Sequence, residues 1–192
     1  MELQLNPITD TELRFDQYKI RQVTVSDAVA FYTLVNSNHD RIARYFPFTA
    51  AASTSIENTA KLLEERVARA AKLDFVTYVI MDETTNALIG CIFIKDINRH
   101  VSKGELGFFI DKAYEGKGVI SKTVEVVVSY CFDVMCLNKV YMRIAEENIP
   151  SRRVAEKNGF MVEGILRQDF RTDDDSLIDV VYYGLLNKRA KS

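Results

Sequence analysis

The apolar positions in the first quarter of the chain predict one strand and one short helix. Residues 18–23 alternate weakly between apolar and polar, which is typical of a strand. Ser26 is a suitable N-cap for a short helix that runs to about Asn36. Residues 39–48 show no regular period, and their aromatic side chains are expected either in the core or along a substrate wall.

A long amphipathic helix is predicted to begin near Thr54. Thr54 and Glu57 have the spacing of a capping box, in which each side chain accepts a hydrogen bond from the other residue's backbone N–H. The apolar residues that follow recur at intervals of three and four: Ile56, Ala60, Leu63, Val67 and Ala70. The charged residues between them are expected on a solvated face. They are Lys61, Glu64, Glu65, Arg66 and Arg69.

The rest of the chain alternates between short strands and helices. Strands are predicted over residues 75–81, 88–97, 103–111, 139–145, 161–171 and 178–186. Short turns separate the first three of these strands and also the last two, so those neighbours are expected to be antiparallel. A helical pattern from residue 119 to 135 lies between the third and fourth strands, which predicts a parallel crossover there.

Length and composition favour one globular domain over residues 1–192. Hydrophobic residues make up 47% and charged residues 27% of the chain, which is ordinary for a globular protein. The net charge is −2 and no basic stripe occurs, which argues against nucleic acid as the main partner. Met1–Leu5 lacks the features of a signal peptide, and no apolar run approaches the roughly 20 residues that a membrane span needs.

The cysteines and histidines bear on location and on metals. Cys91, Cys131 and Cys136 form no CxxC pair, so we expect buried free thiols in a reducing cytoplasm. His39 and His100 lie far apart and have no carboxylate at helical spacing, so no metal site is expected.

The segment 114–121 carries the first sign of chemistry. Gly116 and Gly118 let the backbone bend tightly between a strand and a helix. The first N–H groups of that helix and the positive end of its dipole attract phosphate, and Lys117 adds a positive charge. Glu115 is expected to point away from such an anion or to pair with Lys117. An ordinary strand-to-helix turn remains the alternative.

A second segment, at residues 148–160, is predicted to form a capped helix and favours the interpretation of the glycine loop as part of a binding site. Asn148 is a good N-cap, and Pro150 is tolerated in the first turn of a helix. Gly159 suits the position just after the helix, where a left-handed residue often ends it.

With these residues the chain resembles the GNAT superfamily of acyl-CoA-dependent N-acetyltransferases, from about residue 18 to 186. The family's phosphate loop, Q/R-x-x-G-x-G/A, falls on Glu115–Ile120, where Gly118 matches and Glu115 and Ile120 depart. The segment Asn148–Phe160 reads N-x-x-S-x-x-x-A-E-K-x-G-F, which is similar to the ribosomal-protein (RimJ/RimL-like) branch. The segments Gly104–Asp111 and Asp179–Leu186 resemble the same branch.

The resemblance implies an α/β (α+β) fold with a mixed, mostly antiparallel sheet flanked by helices. It implies acetyl-CoA as co-substrate, with contacts from Phe109, Ile110, Gly116, Lys117, Gly118, Val119, Ile120, Ser121, Asn148 and Ser151. Glu105 is the expected general base, unless it is an exposed strand residue paired with Lys103 or another cation. Ser151 is expected to stabilise the leaving thiolate, because Ala155 occupies the position of the family's tyrosine acid.

The carbonyl oxygen of the acetyl group is expected to meet a backbone N–H near Phe109 or Ile110. The family has a bulge and a separated strand pair there, and Gly107 is compatible with a bulge.

The resemblance implies that the acceptor is a primary amine, first of all the N-terminal amine of a ribosomal protein. Polyamines and aminoglycosides stay open as acceptors, and the loop acids Asp173, Asp174 and Asp175 could attract a cationic amine. A non-catalytic CoA-binding sensor is a further alternative. A dinucleotide-binding domain is disfavoured because G-x-G-x-x-G is not completed. A homodimer or larger homo-oligomer is expected from the resemblance alone.

Overall fold

The computed structural model describes residues 12–188, which form an eight-stranded sheet with helices on both faces. The strands are β1 (Leu13–Phe15), β2 (Tyr18–Gln22), β3 (Phe75–Asp82), β4 (Ala87–Asn98), β5 (Lys103–Ile110), β6 (Lys139–Ala145), β7 (Met161–Arg171) and β8 (Leu177–Leu186). The helices are α1 (Ala28–Ser37), α2 (His39–Tyr45), α3 (Pro47–Ala52), α4 (Ile56–Ala71), α5 (Val119–Asp133) and α6 (Ile149–Lys157). The prediction that Met1–Leu5 is not part of a signal peptide concerns residues outside this range.

The sheet is mixed and mostly antiparallel, as the sequence predicted. Its strand order is β1-β2-β3-β4-β5-β6-β8-β7. Only β5 and β6 run parallel, because α5 carries the chain from the end of one to the start of the other. Each remaining neighbouring pair in this order is antiparallel.

The two faces of the sheet carry separate hydrophobic cores. Side chains of α5 and α6 pack on one face against Leu106 and Ile110 of β5. Helices α1 to α4 pack on the other face against Phe93 of β4 and Phe109 of β5. Because side chains alternate along a strand, Glu105 and Gly107 lie on the same face as Phe109. That face is called the α1–α4 face below.

The first helical region differs from the prediction in two ways. Thr24, not Ser26, precedes the first turn, and Asp27 closes the capping box by accepting a hydrogen bond from Thr24 N at 2.8 Å. Residues 39–48, which show no period, contain the whole of the short helix α2 and the first two residues of the short helix α3. A helix of about two turns is too short for an apolar period to stand out, which explains the miss.

Helix α4 begins one residue later than predicted and turns a different face inward. Ser55 is its N-cap and accepts from Asn58 N at 3.1 Å, so the capping box of Thr54 and Glu57 is wrong. Ile56 is 46% exposed, whereas Arg66, expected in solvent, is only 8% exposed. The guanidinium of Arg66 is drawn inward by the ring of Phe75, whose centroid is 3.7 Å away.

The three cysteines are free, as predicted, but they are not all buried. Cys91 and Cys131 lie in the two cores, whereas Cys136 is exposed in the turn that follows α5. Cys136 has a φ of +53°, a left-handed value typical of turns, which places it outside the helix and its core-facing stripe.

Candidate active site

A cleft opens where the parallel strands β5 and β6 separate. Three residue pairs join them, from Lys103↔Lys139 to Glu105↔Tyr141, and the pairing stops after Glu105. Each strand then leads into the N-terminus of a helix, β5 into α5 and β6 into α6. The positive ends of two helix dipoles therefore lie at the open side of the cleft, where an anionic ligand is favoured.

The backbone of β5 presents alternate N–H groups to this cleft. Asp111 N donates to Ile89 O at 2.7 Å and so points toward β4. Because N–H directions alternate along a strand, Phe109 N–H also points toward β4 and Ile110 N–H points into the cleft. Phe109 and Ile110 are the two predicted partners for an acetyl carbonyl oxygen. Of these, only Ile110 has its backbone N–H directed into the cleft.

The bulge expected at Gly107 is not present. β4 and β5 stay in register from Gly90↔Ile110 to Lys95↔Glu105, and the register shifts only beyond Lys95. A Cβ at Gly107 would overlap the ring of Phe93 on the neighbouring strand. Gly107 is therefore needed because the Phe93 ring packs closely against it. β5 and β6 separate without a bulge at Gly107.

The glycine loop has the backbone geometry that a pyrophosphate needs. Gly116 and Gly118 have φ values of +70° and +80°, which L side chains rarely adopt. No atom lies within 4 Å of a Cβ built at either glycine, so the loop borders open space. Gly118 is the N-cap of α5 and supplies no side-chain cap, which leaves the N–H groups of the first turn without a side-chain acceptor from this residue.

The predicted cofactor residues of α5 are Val119, Ile120 and Ser121, and the first two could contact a ligand only through their backbone. The side chains of Val119 and Ile120 are buried in the core, so only their N–H groups can reach a ligand. Ser121 Oγ lies 3.2 Å from Asn158 Nδ2, which donates to it from the end of α6. This bond joins the two helices beside the cleft, and no local sequence pattern indicates a role for Asn158.

Glu115 points away from the phosphate loop, as one of the two expected alternatives requires. Its carboxylate pairs with Arg41 of α2. Lys117, the other expected partner, lies with its Nζ 5.0 Å from the centroid of the Tyr114 ring. The acidic residue at the family's Gln/Arg position is therefore neutralised outside the loop.

Two further side chains hold the start of this loop, and neither was predicted. Asn38 accepts from Lys112 N at 3.0 Å and donates to Asp111 at 3.1 Å. Tyr114 Oη donates to Asp82 at 3.0 Å. Their partners are 32 to 74 residues distant along the chain, so no local pattern could have indicated them.

Glu105 lies at the closed end of the cleft, between two cations. It is 5% exposed, with Lys95 Nζ at 3.1 Å and Arg143 Nε at 3.0 Å from its carboxylate oxygens. Burial raises the pKa of Glu105, while Lys95 and Arg143 oppose the rise. The alternative of an exposed residue paired with Lys103 or another cation is wrong on exposure and on Lys103, which lies over the ring of Tyr141. The pairing with another cation is confirmed, because Lys95 and Arg143 both pair with Glu105.

The N-terminus of α6 is built as the sequence predicted. Asn148 is the N-cap, and its Oδ1 accepts from Ser151 N at 3.2 Å. Ser151 is half-buried in the first turn, so its hydroxyl lies near the positive end of the helix dipole. Ala155, at the position of the family's tyrosine, is fully buried and leaves no phenol there.

Two of the three carboxylates in the acidic loop at residues 173–175 have partners within the same hairpin. Asp174 accepts from Thr172 Oγ1 at 2.5 Å and from Ser176 N at 3.1 Å. These hydrogen bonds lower the pKa of Asp174 to about 2. Asp175 lies 3.5 Å from Arg171.

Residues 12–188 contain neither a candidate metal site nor a helix that could span a membrane. No group of His, Cys, Asp and Glu side chains could hold a metal ion within that range. None of the helices described there is long and apolar enough to cross a membrane.

Two parallel strands that separate, each leading into a helix N-terminus, form a site that favours a phosphate-bearing ligand between them. Residues 18–161 match the family model described as "Acetyltransferase (GNAT) domain", and the chain belongs to that family. It is an acetyl-CoA-dependent N-acetyltransferase, and the open cradle at Gly116 and Gly118 suits the pyrophosphate of CoA.

Two relatives agree with this assignment, and a solved structure shares the fold. Ribosomal-protein-serine acetyltransferase of Escherichia coli is 27% identical over 114 residues, 59% of this chain and 63% of the relative. Spermidine N(1)-acetyltransferase of Escherichia coli is 31% identical over 81 residues, 42% of this chain and 44% of the relative. The structure of ribosomal-protein-S5-alanine acetyltransferase from Vibrio fischeri superposes on this chain with a TM-score of 0.88 at 23% identity. The match covers 95% of this chain and 100% of the Vibrio fischeri chain.

Proposed function

We propose that the chain acetylates the N-terminal α-amine of a protein, with a ribosomal protein as the first candidate. The observation that carries this choice is the charge balance on the α1–α4 face of the sheet. Asp96, Glu105 and Asp169 each lie within 4 Å of Lys95 or Arg143. A polyamine needs carboxylates that lack such partners, whereas a peptide needs one neutral amine and backbone contacts.

Acetyl-CoA would lie with its pyrophosphate on the N–H groups of residues 116–121 and its thioester between β5 and β6. Bound there, it supplies an acetyl thioester that a neutral amine can attack. Ile110 N–H would donate to the acetyl carbonyl oxygen as that oxygen gains charge. Asn148 would hold the arm of CoA beside the end of β6, and Phe109 would line the α1–α4 face behind it.

Two side chains would handle protons and charge. Glu105 would accept the proton of the attacking amine, directly or through a water molecule. Its raised pKa places it nearer to neutral pH than an ordinary glutamate, which suits a base. Ser151 Oγ would donate to the sulfur as the bond to carbon breaks, helped by the dipole of α6.

Release of free thiol from acetyl-CoA tests the proposal. The acceptors are peptides that begin with serine or alanine, the same peptides with a blocked N-terminus, spermidine and an aminoglycoside. We expect turnover with the free peptides and none with the blocked ones. Turnover with spermidine alone would transfer the proposal to polyamines, which the similarity to spermidine N(1)-acetyltransferase keeps as the second candidate.

We also propose that the protein forms a homodimer or a larger homo-oligomer. The edge strand β7 supports this, because Met161, Val162 and Ile165 are each more than half exposed. An exposed apolar edge strand is a surface that proteins usually cover. Light scattering should give at least twice the 21.9 kDa chain mass, and a clean monomer would remove the proposal.

A further inference from the structure

Arg66 is a charged residue in an apolar core. It lies on the inner side of α4, 8% exposed, with its guanidinium between the rings of Phe75 and Phe48. Burial lowers the pKa of Arg66, but a guanidinium keeps its proton in proteins. The core between α4 and the sheet therefore contains a full positive charge.

No described carboxylate forms an ion pair with this guanidinium, although the charge of Glu65 opposes part of the fall in the pKa of Arg66. Within residues 12–188 no carboxylate and no hydrogen-bond acceptor is bonded to Arg66, and its contacts are with aromatic rings. Arg69, one turn further along α4, provides the contrast. It lies over the same Phe75 ring at 4.9 Å, but it pairs with Asp74 at 2.7 Å and Glu65 at 3.6 Å.

A small cavity lies beside Arg66, and further donors line it. Thr77 is 3% exposed, and its hydroxyl oxygen has no hydrogen-bond partner in the described part of the chain. Burial raises the pKa of Cys91 to about 12, so its thiol is protonated and can only donate weakly. The remaining walls are mainly aromatic and include Phe31, Phe93 and Phe109.

The size of the cavity limits what it can hold. Its volume is about 10 Å³, which is room for roughly one water-sized sphere. A water molecule there would bond to the donors but would leave the charge of Arg66 uncompensated, and an unpaired buried charge is costly. A phosphate or sulfate is too large for the space. A monatomic ion or one oxygen of a carboxylate satisfies both size and charge.

We propose that Arg66, Thr77 and Cys91 form a binding site for one small monovalent anion, a halide or the carboxylate of a bound molecule. The site lies on the α1–α4 face of β5, because Phe109 lines the cavity and directly precedes Ile110, the residue whose N–H points into the cleft. A carboxylate in the site would therefore belong to a molecule on the α1–α4 face. The proposal concerns binding and does not depend on the identity of the acceptor.

Thermal unfolding of the full chain tests the proposal without an activity assay. Native protein, Arg66→Met and the control Arg69→Met are unfolded in sodium sulfate, while chloride or formate replaces sulfate at constant ionic strength. At about ten times the dissociation constant, a bound anion should raise the unfolding midpoint of native protein by about 3–6 °C relative to Arg66→Met. Arg69→Met should respond as native protein does, because Arg69 already has its carboxylates.

Each outcome of this experiment is decisive. A rise with chloride alone supports a halide site, and a rise with both ions supports a site that also takes a carboxylate. Equal responses of native protein and Arg66→Met to both ions would overturn the proposal. Thr77→Val, which keeps the shape of the side chain, should weaken the anion response several-fold and provides the test if Arg66→Met fails to fold.

Discussion

The two ends of β5 contribute to the active site by different physical means. The C-terminal end leads into Gly116–Ser121, where two glycines with positive φ values border open space. The N-terminal half carries Glu105, which is held by Lys95 from β4 and Arg143 from β6. A site made of backbone tolerates changes of side chain, whereas a site made of side chains depends on each of them.

The largest expected effect follows from changing the carboxylate at the side-chain end. Glu105→Gln removes the proposed base and keeps the shape of the residue. We expect kcat to fall by about 10²-fold or more, with acetyl-CoA affinity unchanged. Steady-state thiol release gives kcat, and calorimetry gives the affinity.

The outcome also separates the proposed base from a residue that only holds the strands together. If kcat of Glu105→Gln stays near the native value while its thermal stability falls, Glu105 is an ion-pair residue and not a base. The native protein should lose kcat at acidic pH as Glu105 takes a proton, and the variant should lack that loss.

The next effect is expected at the N-terminus of α6. Ser151→Ala removes a hydroxyl that would donate to a developing thiolate, and a hydrogen bond to a charged group contributes about 1.5–3 kcal/mol. We expect kcat to fall by about 10- to 100-fold. The cap should survive, since Asn148 bonds the backbone N–H of Ser151. An unchanged kcat would show that the serine acts only as a helix residue.

At the backbone end, only a change in the conformation of the loop should matter. Gly118→Ala forces a left-handed φ on a residue with a Cβ, which costs about 1–2 kcal/mol. We expect the KM for acetyl-CoA to rise by about 5- to 30-fold with a smaller change in kcat. Gly164→Ala is the matched control, because a Cβ there meets no atom within 4 Å and its φ is not left-handed. Equal KM values for the two variants would contradict the role of the loop.

The same contrast explains how much the sequence could predict. Local spacing in the sequence predicts most of the strands, helices α5 and α6, the glycine loop and the cap at Asn148. The structure contains each of these elements. Lys95 and Arg143 meet Glu105 only because three strands become neighbours, which no local pattern shows. Arg66 was assigned to the solvated face of α4 because periodicity cannot detect an aromatic ring on another element that draws a cation inward.

A smaller effect is expected on the pH dependence of stability. Burial raises the pKa of Glu105 above its value of 4.5 in an unfolded chain, so the folded protein binds this proton more tightly. Its contribution to stability is fully present below pH 4.5 and is lost as the pH rises through the folded pKa. The free energy of unfolding of native protein minus that of Glu105→Gln should therefore decline as the pH rises above about 4.5. A difference that rises with pH would mean that Lys95 and Arg143 outweigh burial.

The smallest effect is expected from the carboxylate at the backbone end. Glu115→Gln breaks an exposed pair with Arg41, and such pairs contribute about 0–1 kcal/mol. We expect less than about a threefold change in kcat or in the KM for acetyl-CoA. A loss comparable with that of Glu105→Gln would contradict the view that side chains matter little at this end.

The structure of the protein crystallised with CoA tests the central claim most directly. We expect the pyrophosphate oxygens within hydrogen-bond distance of the N–H groups of residues 116–121. The sulfur should lie between β5 and β6, close to Ser151 Oγ and Ile110 N–H. A CoA molecule bound elsewhere, or one whose sulfur lies outside the cleft, would contradict the account.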